Sequence, residues 1–172
     1  VGSAFLCILF ADGFADGIIK PLAERWRASN DPLVKYSVQV VDNLRMKDYS
    51  FCSAHAANTM SLAVFFSLLI RSRMITITMV IWSLVNCWTR LYLGVHYPLD
   101  VLTGILLGCV VGFLVYLFYH RMYRRISPEI KYISNQYTST GYDHDDIDMI
   151  MTVVMVVLVY VVIRALCMMT AV

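Results

Sequence analysis

The chain has 172 residues, of which 59% are hydrophobic and only 15% are charged, whereas an average soluble domain has roughly 25% charged residues. Its mean hydropathy is +0.67, and its formal net charge of +2 is too small to indicate a nucleic-acid partner. Because the apolar residues also fall in long blocks, these values argue against a soluble domain and favour a polytopic membrane protein.

Five apolar blocks follow one another along the chain, at residues 1–19, 56–70, 74–93, 98–119 and 147–172. Each approaches or exceeds the length needed to cross a hydrocarbon core of about 30 Å. Since helices are the open spanning elements that lipid permits, we predict an all-α, polytopic transmembrane helical bundle. The second block is the shortest, and we expect its helix to begin before Ala56.

The segments between the blocks predict the topology. Residues 20–50 and 120–146 form polar loops, whereas the links at residues 71–73 and 94–97 are short enough to make neighbouring helices antiparallel. Because successive spans cross the membrane in alternating directions, five arginines fall on one side of it: Arg71, Arg73, Arg121, Arg124 and Arg125. The positive-inside rule makes that side cytoplasmic. We therefore expect a multi-pass protein of the bacterial inner membrane, with the 20–50 loop facing the periplasm.

The same blocks divide the chain into three parts. Residues 1–126 are expected to form a transmembrane core, residues 127–146 a polar loop, and residues 147–172 an additional C-terminal transmembrane helix. In the fourth block, Asp100, Gly104, Gly108 and Gly112 recur every four residues and predict a helix face that a neighbour can approach closely. The five cysteines show no CxxC spacing, which indicates packing residues.

Ionisable residues at membrane depth are costly, so each one suggests a function that needs it. The predicted topology brings three cations, two histidines and one carboxylate to a single membrane face: Lys20, Arg27, His55, Arg90, His96 and Asp100. Two further acids, Asp12 and Asp16, lie four residues apart in the first block. They either orient this group or cap polar neighbours inside the bundle.

This set of residue types suits phosphoryl transfer. The reaction needs cations around the equatorial oxygens, and the two arginines and the lysine could supply them without a metal, so no cofactor is expected. A histidine can attack phosphorus when a carboxylate fixes its tautomer, as Asp100 could do for His96 at the start of a helix. His55, beside Ser53 at another helix start, would protonate the leaving alkoxide and later activate water.

Three segments carry the resemblance to a known family: KPLAERWR at residues 20–27, CSAH at 52–55 and TRLYLGVHYPLD at 89–100. They resemble the signatures K-x6-RP, PSGH and SR-x5-H-x3-D of the type 2 phosphatidic acid phosphatase superfamily. The resemblance implies that phosphate is bound by four residues, Lys20, Arg27, Ser53 and Arg90. It also implies that His55 is the acid and that His96, supported by Asp100, forms a phosphohistidine.

Four positions depart from these signatures: Ala28, Cys52, Ala54 and Thr89 replace proline, proline, glycine and serine. The change at Ala54 matters most if the backbone there needs a positive φ, which a Cβ disfavours. Members of the family usually have six spans, with the first signature after the third. We therefore expect two further helices upstream of residue 1, and the last apolar block is an addition.

The activity expected from the resemblance is hydrolysis of a lipid phosphomonoester or diphosphate through a phosphohistidine. The partners would be a lipid phosphate substrate and the surrounding membrane lipids. One alternative is a lipid phosphotransferase of the same superfamily, which passes the phosphate to another acceptor. Another is a non-enzymatic membrane transport component. Transport predicts charges in the middle of the membrane, whereas here the charges lie at helix ends.

Overall fold

The computed structural model describes residues 2–27, 30–32, 49–126, 137, 138 and 140–170, with the backbone alone at residues 162 and 164–170. The helices are α1 (Gly2–Phe14), a π-helical turn (Ala15–Ile19), α2 (Lys20–Ala23), α3 (Ala54–Ile70), α4 (Arg73–Tyr92), α5 (Pro98–Ile126) and α6 (His144–Thr170). The predicted all-α class is confirmed. Residues 28–29, 33–48, 127–136 and 139 of the two polar loops, Ala28 included, fall outside the described residues.

Three helices in the described part of the chain are long and apolar enough to cross a membrane: Gly2–Ala23, Arg73–Tyr92 and Pro98–Arg125. The first of them joins α1, the π-helical turn and α2. Helix α3 is shorter, with 17 residues, and begins at Ala54, before Ala56 as expected. Helix α6 has 27 residues, and its passage through the membrane remains a prediction.

Helix α5 is longer than its apolar block, because it continues past Tyr119 to Ile126. The aromatic rings of Tyr119 and Tyr123 stack across one turn of this extension, with centroids 5.8 Å apart. Arg124 and Arg125 lie in the last turn, where cations interact favourably with the helix dipole. Polar residues therefore extend the helix beyond the segment that hydropathy alone marks.

The glycine face of α5 packs directly against the backbone of α3. A Cβ added at Gly104 would lie 2.5 Å from the carbonyl oxygen of Ser53, and one added at Gly108 would lie 2.5 Å from that of Ala57. Gly112 meets Ser61 in the same way. The predicted close approach is confirmed, and the stepwise pairing shows that α3 and α5 run parallel.

The first helix and α4 run in the opposite direction to α3 and α5. Arg71 ends α3 with φ at 56°, and α4 returns beside α3, where Ser83 Oγ donates to Thr59 Oγ1 at 3.1 Å. Asp12 of the first helix likewise accepts a hydrogen bond from Asn58 of α3. The predicted hairpin is confirmed. The C-terminal ends of the first helix and α4 therefore meet the N-terminal ends of α3 and α5.

A tight turn completes this end of the bundle. Gly94, with φ at 66°, follows α4 and occupies the left-handed region that glycine adopts without strain. Its N–H donates to the carbonyl of Leu91 at 3.0 Å. The chain then passes through His96 and enters α5 at Pro98, as expected for proline in a first helical turn.

Candidate active site

The side chain of Asp100 is fully buried at this end of the bundle, with 0% of its surface exposed. Arg25 Nη1 donates to Oδ1 at 2.9 Å, and the Tyr97 N–H donates to Oδ2 at 3.0 Å. The hydroxyl of Ser50 also donates to Oδ2. A buried carboxylate needs such donors to remain charged, and here three different segments supply them.

His96 is buried between Asp100 and Arg27. Its Nδ1 lies 3.8 Å from Asp100 Oδ2, and its Nε2 lies 3.5 Å from Arg27 Nη1. The same guanidinium nitrogen is 3.5 Å from the carbonyl oxygen of Val95. No hydrogen-bond partner of Nδ1 lies among the described residues. One ring nitrogen therefore faces a carboxylate and the other faces a cation.

Helix α3 begins beside this pair. Ser53 is its N-cap, with Oγ accepting from the N–H of Ala56 at 3.4 Å. The N–H of Ser53 donates to the carbonyl of Asp100 at 3.0 Å, which ties the start of α3 to the start of α5. In the described chain, Glu24 and Arg71 are the non-glycine residues with positive φ. Ala54 is therefore free of the backbone strain considered above.

His55 follows in the first turn of α3, with its imidazole exposed. The charged or titratable groups whose fields act on this ring are Arg90, His96, Asp12 and Lys20. The structure thus brings both sequence-predicted histidines to the same place, one buried and one accessible. That difference suits a group held in one orientation and a group that exchanges protons with ligands.

The remaining predicted cations come from two helix ends. Arg90 lies in the last turn of α4, and its Nε is buried without a hydrogen-bond partner among the residues described. Lys20 follows the π-helical turn and pairs with Asp16 Oδ1 at 2.7 Å. Isolated π-helical turns occur often at functional sites, where they change the direction of a side chain.

The two acids of the first helix have separate partners. Asp16 is the exposed member of the pair with Lys20, whereas Asp12 accepts from Asn58 Nδ2 at 2.6 Å. The two alternatives left open by the sequence thus apply to one residue each. Asp16 contacts a candidate phosphate-binding side chain, and Asp12 satisfies a polar neighbour inside the bundle.

Sequence reasoning missed Arg25 and Ser50. Arg25 also stacks on the Tyr97 ring, with 4.3 Å between the guanidinium carbon and the ring centroid. The sequence did contain one indication of the position of Arg25. Successive side chains of an extended segment alternate in direction, so Arg25 should lie on the same side as Arg27, opposite Trp26, which is 61% exposed. Ser50 carried no signal of its own.

Tyr97 links these residues to the loop that follows Arg27. Its hydroxyl donates to Asp31 Oδ2 at 2.8 Å. Burial, followed by the hydrogen bond and negative charge of Asp31, raises the pKa of Tyr97. The phenol therefore remains a proton donor at neutral pH and fixes the ring on which Arg25 stacks.

Several cationic side chains gather at the site. Within the described ranges, no three His, Cys, Asp or Glu side chains lie close enough together to hold a metal ion. Four cationic side chains lie at this end of the bundle: Lys20, Arg25, Arg27 and Arg90. Arg25 pairs with Asp100 and Lys20 with Asp16, and this gathering of guanidinium and ammonium groups beside His96 suits a phosphate group.

The sequence profile of the PAP2 superfamily matches residues 2–124, a range that contains all of these side chains. The chain belongs to the PAP2 superfamily. The resemblance seen in the three signature segments is therefore confirmed. No solved structure matches the chain significantly.

The relatives that match this chain include proteins named as lipid A phosphatases and undecaprenyl-diphosphatases. The chain is 38% identical to the lipid A 4′-phosphatase of Bacteroides thetaiotaomicron over 126 residues, which are 72% of this chain and 56% of that protein. It is 37% identical to the lipid A 4′-phosphatase of Porphyromonas gingivalis over 121 residues, 69% of this chain and 50% of that protein. Undecaprenyl-diphosphatase BcrC of Bacillus subtilis is 38% identical over 71 residues, 41% of this chain and 36% of that protein. The chain thus spans about half the length of the first two relatives.

Proposed function

We propose that this chain hydrolyses a lipid phosphomonoester or diphosphate in the membrane, through a phosphohistidine formed at His96. The observation that carries the proposal is the placement of that ring, with Nδ1 3.8 Å from the Asp100 carboxylate and Nε2 3.5 Å from the Arg27 guanidinium. A nucleophilic imidazole needs this arrangement, because a cation must hold the phosphate beside one nitrogen while an anion stabilises the other.

The reaction proceeds in two steps. In the first, His96 Nε2 attacks phosphorus, the bond from phosphorus to the lipid oxygen breaks, and His55 gives a proton to the departing oxygen. In the second, water attacks the phosphohistidine and passes a proton to His55. Inorganic phosphate then leaves, and both histidines return to their starting states.

Four side chains bind the phosphate in this scheme: Lys20, Arg27, Ser53 and Arg90. Arg90 supports the assignment because its Nε is buried without a partner in the described structure, and such a donor gains from an anionic ligand. Ser53 supports it because its oxygen accepts from the Ala56 N–H, which leaves the hydroxyl proton for a phosphate oxygen. The charge on the phosphate is neutralised by these groups without a metal ion.

The substrate is proposed to be a lipid because the site lies at helix ends and the outer faces of the bundle are apolar. Exposed residues of these faces include Phe10, Phe14, Ile81 and Trp88. An acyl chain can lie along them while its phosphate reaches the cations. Lipid A phosphate is the first candidate and undecaprenyl diphosphate the second, because the relatives named above act on these lipids.

We place the chain in the inner membrane, with the site facing the periplasm. Residues 1–126 would form the catalytic core, residues 127–146 would form a loop, and residues 147–172 would add a membrane helix.

The test of this orientation is a single cysteine at Asn43, which lies outside the described residues, in a background without the five native cysteines. An impermeant thiol reagent should label it in cells with an intact inner membrane. Labelling only after that membrane is permeabilised would reverse the orientation.

The activity itself is tested by phosphate release from a panel of lipids in detergent: lipid A, undecaprenyl diphosphate, phosphatidylglycerophosphate and phosphatidate. Release by the native protein and none by His96→Ala would support the proposal. Adding a lipid alcohol tests the phosphotransferase alternative. If phosphate moved to that alcohol with no release to water, the chain would be a transferase. No turnover of any lipid phosphate would contradict both activities.

A further inference from the structure

Arg25 lies in the site without belonging to the set expected to bind phosphate. Its Nη1 donates to Asp100 Oδ1 at 2.9 Å, and its guanidinium stacks on the Tyr97 ring. The side chain is thus held at two points, one ionic and one aromatic. It binds Oδ1 of Asp100, whereas His96 faces the other carboxylate oxygen, Oδ2.

The carboxylate of Asp100 therefore has two neighbours that can carry positive charge, the guanidinium of Arg25 and the imidazole of His96. In the free site, Arg25 already neutralises its charge, and His96 Nδ1 remains 3.8 Å away without a hydrogen bond. An uncompensated buried carboxylate would favour the protonated imidazole strongly, because opposite charges attract most where water is excluded. A protonated imidazole cannot attack phosphorus.

We infer that Arg25 is a positioning residue that shares the charge of Asp100 and so keeps His96 neutral until attack. This inference rests on the proposed phosphohistidine mechanism. When Nε2 bonds to phosphorus, the ring becomes positive, and Asp100 can then stabilise it through Nδ1. Arg25 acts through Asp100, since its side chain contacts Asp100 and Tyr97 in the described part of the chain.

Other groups also set the charge around His96, and they come from every element packed here. The titratable and charged groups that face His96 or Asp100, directly or through one neighbour, are Asp12, Asp16, Lys20, Arg25, Arg27, Asp31, Cys52, His55, Arg90 and Tyr97. Of these, Arg25 forms the ion pair with Asp100. Removing its charge therefore changes the balance at the carboxylate without removing a phosphate ligand.

The test is the pH profile of kcat/KM for lipid phosphate hydrolysis, measured for the native protein and Arg25→Gln. Without the cation, His96 takes up a proton more readily, so the acidic limb should move to higher pH. Since the Arg25 side chain is 38% exposed, water screens part of the effect, and we expect a shift on the order of half to one pH unit. Arg25→Lys keeps the charge and should restore the native limb.

Two controls separate charge from orientation. Ser50→Ala removes a hydrogen bond to Asp100 but no charge. The acidic limb of its pH profile should therefore stay close to that of the native protein. Arg121→Gln removes a cation at the exposed opposite end of α5 and should leave the whole profile unchanged.

An unshifted limb in Arg25→Gln, beside an active native protein, would overturn the role of Arg25 alone. An equal shift in Ser50→Ala or in Arg25→Lys would also overturn it, because orientation would then be the cause. An inactive native protein, in contrast, would refute the proposed function. If Arg25→Gln fails to fold, Arg25→Met, which also removes the charge, takes its place in the same comparison.

Discussion

The carboxylate of Asp100 lies 3.8 Å from Nδ1 of His96, four residues earlier in the chain. This distance is longer than a hydrogen bond, although the carboxylate is fully buried and held by three other donors. Small movements of the ring are therefore enough to make or break the contact. The relationship fits a carboxylate that acts on the histidine mainly when the ring becomes positive.

Asp100→Asn tests this relationship. Asparagine has nearly the same size, but it offers no counter-charge to the imidazolium formed on attack. We expect kcat to fall by up to about 10⁴-fold, the loss that the equivalent change causes in a serine-protease triad, with a much smaller change in KM. Steady-state hydrolysis in detergent micelles measures both constants. A variant with native kcat would show that Asp100 is only a structural residue.

The pair between Lys20 and Asp16 gives a second prediction. Asp16 Oδ1 lies 2.7 Å from Lys20 Nζ, and the Asp16 side chain is 55% exposed, so phosphate must compete with a weak, solvated partner. Asp16→Asn should lower KM by about 1.5- to 5-fold, which corresponds to an exposed ion pair. Lys20→Ala should raise KM. An increase of KM in Asp16→Asn would mean that Asp16 positions Lys20 for binding.

Close packing between α3 and α5 gives a prediction about stability. A Cβ at Gly108 would lie 2.5 Å from the Ala57 carbonyl oxygen and 2.9 Å from the Met60 Cβ. Gly108→Ala should therefore destabilise the bundle by about 1–3 kcal/mol, as expected for an overpacked interface, and lower the midpoint of thermal unfolding in detergent.

Gly13→Ala is the matched control, because a Cβ there has nothing within 4 Å and alanine favours a helix over glycine. Its midpoint should equal or exceed that of the native protein. Equal midpoints for Gly108→Ala and Gly13→Ala would show that the helices can separate without cost.

The parts of the site that sequence could predict depend on local spacing. His96 and Asp100 are four residues apart at a helix start, so their contact follows from the chain itself. Arg25 and Ser50 reach Asp100 across 75 and 50 residues of chain, respectively, and their place could not be deduced without the fold. Hydropathy located the apolar blocks but not the extension of α5, since hydrogen-bonded helix continues where composition becomes polar.

Chelators test whether side chains or a metal ion neutralise the charge of the bound phosphate. Because the side chains of Lys20, Arg27 and Arg90 are proposed to neutralise the phosphate, EDTA should leave activity unchanged. Vanadate should inhibit, as its five-coordinate form resembles phosphorus during attack. Loss of activity in EDTA that Mg²⁺ restores would show that a metal ion, and not these side chains, neutralises the phosphate.

The most direct test of the mechanism is the fate of ³²P from a labelled lipid phosphate, followed on His96→Ala and His55→Ala. With a substrate whose leaving group needs little protonation, His55→Ala can still be attacked but hydrolyses its intermediate slowly. It should therefore accumulate label that is acid-labile and base-stable, as expected for phosphohistidine, whereas His96→Ala should carry none. Label that persists in His96→Ala would contradict the account and move the nucleophile to another residue.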